Sequence, residues 1–200
     1  VSAQPTAERP TPADIAAVDV QLGRVPRGVV AVAHRCACGR PDVLTTEPRL
    51  PDGTPFPTTF YATCPKLTGA ISTLESQGVM KEMSDRLAAD EELASRYAAA
   101  HEDYLRRRYE LGRVEEIEGI SAGGMPTRVK CLHVLAAHSL AAGPGVNPLG
   151  DETLALLGDW WASGSCVPDA TDATDSTGGT GAADAAEGAD AAHASEGQSA

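Results

Sequence analysis

The sequence has no apolar run longer than the five residues Val29–Ala33. A membrane span needs about twenty, so no membrane insertion is expected. The first fourteen residues are polar and proline-rich, and no apolar core of a signal peptide follows them, so the expected compartment is the cytoplasm. Basic residues are scarce: 16 Lys and Arg stand against 28 Asp and Glu, for a net charge of -12. That balance gives no basic face for nucleic acid, and none is expected as a partner. From Val167 to Ala200 there is no aromatic residue, no Lys and no Arg, while seven acids lie in that stretch and leave residues 1–166 with only -5. Such a segment buries too little apolar surface to offset the entropy of ordering it, so a disordered acidic C-terminal tail is expected over 167–200. Internal repeats are also missing.

Five cysteines are present, an odd number. With a chain large enough for its own core and no export signal, they read as reduced thiols rather than a disulfide framework. Metal binding or thiol chemistry is therefore the first thing to look for.

The remaining pattern predicts an α+β domain over residues 12–166, after a flexible N-terminus at 1–11. A small antiparallel three-stranded meander packs against a bundle of four to five helices. Ile15, Val18 and Leu22 fall three and four apart in a short first helix ended by Gly23. Strands are expected at Gly28–Cys36, Val43–Glu47 and Thr58–Thr63, with a proline-rich loop before the third. The period then changes. Pro65 suits a first helical position, and Leu67, Ile71 and Leu74 form one apolar stripe. Further helices are expected from Val79 to Ala89, from an Asp90 cap through Tyr97, His101, Tyr104 and Arg108, from Thr127 to Ala142, and from Asp151 to Trp161. Arg106, Arg107 and Arg108 read as a solvated face partnered by Glu102 and Asp103.

Four constellations carry possible chemistry. In an extended chain His34, Cys36 and Cys38 would share one face and could seed a zinc site; two small residues filling a hairpin turn would give the same letters. Cys64 falls between a strand and a helix, where the helix dipole stabilises a thiolate. A merely buried small residue fits that position equally well. Gly123 and Gly124 lead toward Arg128 and an expected helix start, a setting for a small anionic ligand. In the helix that follows, Cys131, His133 and His138 are either ligands or bases, or ordinary packing and hydrogen-bonding residues. His101 sits among tyrosines on an inward face and must find a polar partner.

The order of several motifs resembles a known family. They are His-Arg-Cys-Ala-Cys-Gly at 34–39, Leu-Pro-Asp-Gly-Thr-Pro-Phe-Pro-Thr at 50–58, Thr-Cys-Pro at 63–65, Val-Lys-Cys-Leu-His at 129–133 and Asn-Pro-Leu-Gly at 147–150. Together they resemble the bacterial domain-of-unknown-function family 501 from roughly Val20 to Trp161. The resemblance implies a small cytoplasmic protein, common in actinobacteria and often encoded beside enolase, a septum-formation initiator and an exopolyphosphatase-like protein. It implies no established activity. Relatives often carry a His where this chain has Leu135, so a site needing that position is incomplete here.

Three functional readings follow. The favoured one is a metal-binding domain of regulatory or structural role, with zinc held by Cys36, Cys38, Cys64 and Cys131 and with His34 or His133 as substitutes. The second is a thiol-dependent enzyme acting on a small anionic substrate. Cys64 or Cys131 would be its nucleophile, His101, His133 or His138 its base, and Gly123, Gly124 and Arg128 its anion site. The third is an adaptor that docks a protein partner of cell division without chemistry.

Overall fold

In the computed structural model, which describes residues 7–167, the N-terminal helix α1 (Pro12–Leu22) begins on a capping box. The Thr11 hydroxyl accepts from the Asp14 amide, and the Asp14 carboxylate accepts from the Thr11 amide. Gly23, at φ 65°, ends the helix in a left-handed turn that a side chain would resist. Glu8, placed by composition in the flexible N-terminus, already pairs with Val32 through two backbone hydrogen bonds.

Strands β1 (Val29–Arg35), β2 (Pro41–Thr46) and β3 (Phe60–Ala62) form the antiparallel meander in the order β1-β2-β3. Every residue of β2 is buried. The cause is cover on both faces. Val32 and Leu44 pack against Val18 of α1, while Ala33, Val43 and Phe60 join the larger core on the other side.

That larger core is built from α2 (Pro65–Ser76), α3 (Val79–Ala89), α4 (Glu91–Leu111), α5 (Leu132–Ala142) and α6 (Pro148–Leu157). Five helices therefore lie on one side of the sheet and α1 lies on the other. Nine residues of the eleven-residue α5 are buried, since it passes between the sheet and α6. Gly150 of α6 makes the approach possible, because a Cβ there would stand 2.2 Å from the Leu135 carbonyl oxygen. No helix among the described residues is long and apolar enough to cross a membrane. The expected acidic tail from 167 onward lies, past its first residue, outside the described residues.

Three expectations need correction. The last helix is Pro148–Leu157 rather than Asp151 to Trp161, because the Asn147 side chain caps it by accepting from the Gly150 amide and Gly158 ends it. Helix α5 begins at Leu132, not near Thr127, because the Arg128 and Lys130 amides donate to the Gly124 and Gly123 carbonyls and the Val129 amide donates to Ser84. Those bonds hold 123–130 as a folded loop. Arg108 is not on a solvated face. It is 1 % exposed, and its guanidinium donates to the carbonyls of Ile117 and Ile120 in the turn beyond α4. Arg106 and Arg107 do pair with Asp103.

Candidate metal centre

Three separate pieces of backbone deliver four cysteines to one place. Strand β1 stops at Arg35. The Cys36 amide then donates to the Arg40 carbonyl and the Gly39 amide to the Cys36 carbonyl, closing a tight turn with Gly39 at φ 81°. Cys36 and Cys38 both sit in this turn. At the far side of the sheet, the Thr63 amide donates to the Asp42 carbonyl, and Cys64 caps α2 with Pro65 as its first helical residue. Beyond α6 the chain returns: Trp160 and Trp161 pack edge to face, Lys66 donates to the Ser163 carbonyl, and Cys166 follows.

The Cys64 and Cys166 sulfurs are 2.9 Å apart, and those of Cys38 and Cys166 are 3.2 Å apart. The sulfurs of Cys36, Cys64 and Cys166 all lie within 4.8 Å of one another. All three of these residues are buried, Cys38 is half-buried, and none of the five cysteines is in a disulfide. Burial pushes the Cys36 and Cys166 thiols up. Burial also acts on Cys38, but the Cys166 and Arg40 backbone and the neighbouring thiols outweigh it and bring that group down to about 7. Thiolates gathered in so dry a space repel one another unless a cation neutralises them. Tetrahedral zinc holds sulfurs at about 2.3 Å, hence about 3.8 Å from each other. The Cys64–Cys166 and Cys38–Cys166 pairs stand closer than that, and an ion would spread them.

The residues singled out in the sequence divide between this cluster and other places. Cys36, Cys38 and Cys64 come together; Cys131 does not join them. His34 is engaged elsewhere, with Nδ1 2.8 Å from the Asp42 carboxylate. The expected shared face of His34, Cys36 and Cys38 fails because the extended chain ends at Arg35 and a turn replaces the alternation.

Cys131 caps α5 and faces His133, with Sγ 3.8 Å from Nδ1. Glu75 completes this second group: its Oε1 is 3.2 Å from the same Nδ1 and accepts from the Leu132 amide at 2.7 Å. Burial would lower His133, but the Cys131 and Glu75 partners outweigh it and raise the imidazole to about 10. Burial likewise opposes ionisation of Glu75, yet His133 holds its carboxyl below the usual range.

His101 pairs with the Ser121 hydroxyl at 2.9 Å. His138 is fully buried between Asp103, at 3.0 Å, and Asn147, at 3.3 Å, and stacks on Phe60. Neither pairs with a thiol, so neither is placed as the base of a cysteine nucleophile. The anion site expected at Gly123, Gly124 and Arg128 is not at a helix N-terminus. A Cβ on Gly124 would meet the Arg128 carbonyl oxygen at 2.7 Å, so backbone already fills the space beside it.

Two residues of these groups were not identified from the sequence. Cys166 follows the last periodic segment and borders the acidic tail, and Glu75 reads as one more acid near the end of a helix. Only the odd cysteine count hinted at the first.

The model of a protein family described as a protein of unknown function, DUF501, matches residues 32–155. That span includes Cys36, Cys38, Cys64, Glu75, Cys131 and His133 and stops before Cys166. No curated protein and no solved structure matches the chain.

Proposed function

The chain belongs to the DUF501 family, whose description assigns no activity, and we propose from the geometry that it is a zinc-binding domain whose ion has a structural or regulatory role. The ligands are Cys36, Cys38, Cys64 and Cys166. The observation that supports this most is the meeting of four unlinked sulfurs from three distant segments, with closest separations of 2.9 and 3.2 Å. Four thiolates fill a tetrahedron and leave no position for substrate, which is the pattern of structural rather than catalytic zinc. Such an ion would tie the β1–β2 turn, the start of α2 and the segment after α6 to one point. A reduced four-thiol centre also suits a reducing compartment, in line with a cytoplasmic protein.

Metal analysis of the full-length, tag-free protein tests the proposal. The expected result is one tightly held zinc that is lost when Cys64 or Cys166 is changed to Ser. A metal-free preparation that stays folded and takes up no added zinc would overturn it. So would a Cys64–Cys166 or Cys38–Cys166 disulfide found in freshly isolated protein.

A further inference from the structure

We infer that Glu75, Cys131 and His133 form a second zinc site, separate from the four-cysteine centre and open to solvent at its fourth position. The argument begins with His133. Its Nε2 lies 3.2 Å from the Thr68 carbonyl oxygen. A carbonyl only accepts, so Nε2 carries a proton and donates it. The other nitrogen, Nδ1, faces the Glu75 Oε1 at 3.2 Å and the Cys131 Sγ at 3.8 Å. A carboxylate also only accepts. Three groups rich in lone pairs thus converge on one small space, and something electropositive must stand among them: the Cys131 thiol proton, a proton on Nδ1 or a metal ion.

Several features favour a site built for a metal. All three ligand atoms lie within 4.8 Å of one another. Around tetrahedral zinc, a nitrogen and an oxygen ligand are separated by about 3.3 Å, and a nitrogen and a sulfur by about 3.6 Å. The observed separations are close to both. The supporting contacts are in place as well. Zinc-bound imidazoles commonly donate their other N–H to a backbone carbonyl, as His133 does to Thr68. Glu75 is steadied by the Leu132 amide at 2.7 Å. Thiolate, imidazole and carboxylate together select zinc over the hard cations magnesium and calcium, which take oxygen ligands.

Exposure separates this group from the first. The side chains of His133 and Glu75 are 26 % and 21 % accessible, and Cys131 is half-buried. Solvent therefore reaches the ion, and the chain supplies three ligands rather than four. The fourth position falls to water or to a small anion such as a carboxylate or phosphate oxygen. An open three-ligand zinc polarises what it binds and exchanges more readily than a closed one.

Zinc binding by the full-length protein and three variants tests this inference independently of the four-cysteine reading. Wild type is expected to hold two zinc ions after saturation and desalting, one of which a chelator removes first. Glu75→Gln and His133→Gln should each hold one ion, without the fast-released fraction. Cys166→Ser should keep the fast-released ion and lose the other. Cobalt(II) titration of wild type gives a readout that needs no variant: two phases are expected, one with the charge-transfer intensity of several thiolates and one with that of a single thiolate. Two ions retained by both Glu75→Gln and His133→Gln would overturn the inference. A single cobalt phase, abolished in Cys166→Ser, would also overturn it while leaving the four-cysteine centre standing. A single ion lost from His133→Gln and kept in Cys166→Ser would uphold it and remove the four-cysteine centre instead.

Discussion

The sulfur of Cys166 stands 2.9 Å from that of Cys64, although 102 residues separate them in the chain. If zinc occupies this cluster as proposed, its binding stabilises the whole domain. At free zinc 1,000-fold above the dissociation constant the contribution is about 4 kcal/mol. Cys166→Ser is therefore expected to melt roughly 8–16 °C below wild type in zinc-containing buffer. The two should converge when both are stripped of metal. A gap that survives stripping would assign Cys166 to packing alone.

Arg108 offers a second measurement. Its buried guanidinium donates to two carbonyls, of Ile117 at 2.7 Å and Ile120 at 2.6 Å. Removing it leaves both acceptors without a partner in the interior. Arg108→Ala should cost about 2–5 kcal/mol in urea unfolding. A cost below about 1 kcal/mol would mean that water replaces the guanidinium.

A pair of glycines gives opposite signs for the same substitution. Gly150→Ala drives a Cβ to 2.2 Å from the Leu135 carbonyl oxygen and 2.4 Å from the Ser139 hydroxyl. Helices α5 and α6 must move apart, at a cost of about 3 kcal/mol or more. Gly69, in the exposed middle of α2, has nothing within 4 Å of its Cβ position. Gly69→Ala should stabilise by about 0.5–1 kcal/mol through helix propensity. Thermal melts of the two variants check both signs.

The Arg35–Asp14 pair sets a pH dependence. Arg35 donates to both Asp14 oxygens, at 2.7 and 3.1 Å. Its hydrogen bonds, against a smaller opposing effect of burial and with help from Thr11, hold the Asp14 carboxyl well below the usual carboxylate range. A depressed folded value means that the contribution is present in full above the unfolded value, about 3.9. It is lost as pH falls from there through the folded value. Asp14→Asn should thus be less stable than wild type by about 1–2 kcal/mol at pH 7. The difference should shrink as pH drops below about 4, and a difference independent of pH would point to the helix cap instead.

Local signals in the sequence located most of the frame. Helix α3 runs from Val79 to Ala89 as its periodicity and its flanking Gly78 and Asp90 imply, and the change of period at Cys64 marks a real strand-to-helix junction. What escaped depends on tertiary contact. The residues after the Gly123-Gly124 loop read as a helix from Thr127, whereas α5 begins at Leu132, and nothing local announces that the Val129 amide is bonded to Ser84. Arg108 falls on the helix stripe of Tyr97 and Tyr104, yet the run of three arginines reads as solvated, since the two carbonyl partners of Arg108 lie in a turn with no periodic pattern. The candidate centre was half legible. A tight turn explains the Cys36–Cys38 spacing, but the partner 128 residues beyond Cys38 is supplied by chain return after α6. Pattern within a window cannot report on a contact of that separation.

Synthesis of the chain is vectorial, and the last sulfur of the four-cysteine cluster is also the last to be made. Cys38 precedes Cys166 by 128 residues and Cys64 precedes it by 102. At about 5–20 residues per second, the ribosome needs roughly 5–20 s to cover the shorter interval. Throughout it Cys36, Cys38 and Cys64 have no fourth sulfur to meet. Arrival of Cys166 supplies the one that touches both Cys64 and Cys38. A chain broken off before residue 166 therefore lacks the link between the β1–β2 turn and the start of α2 that this sulfur makes.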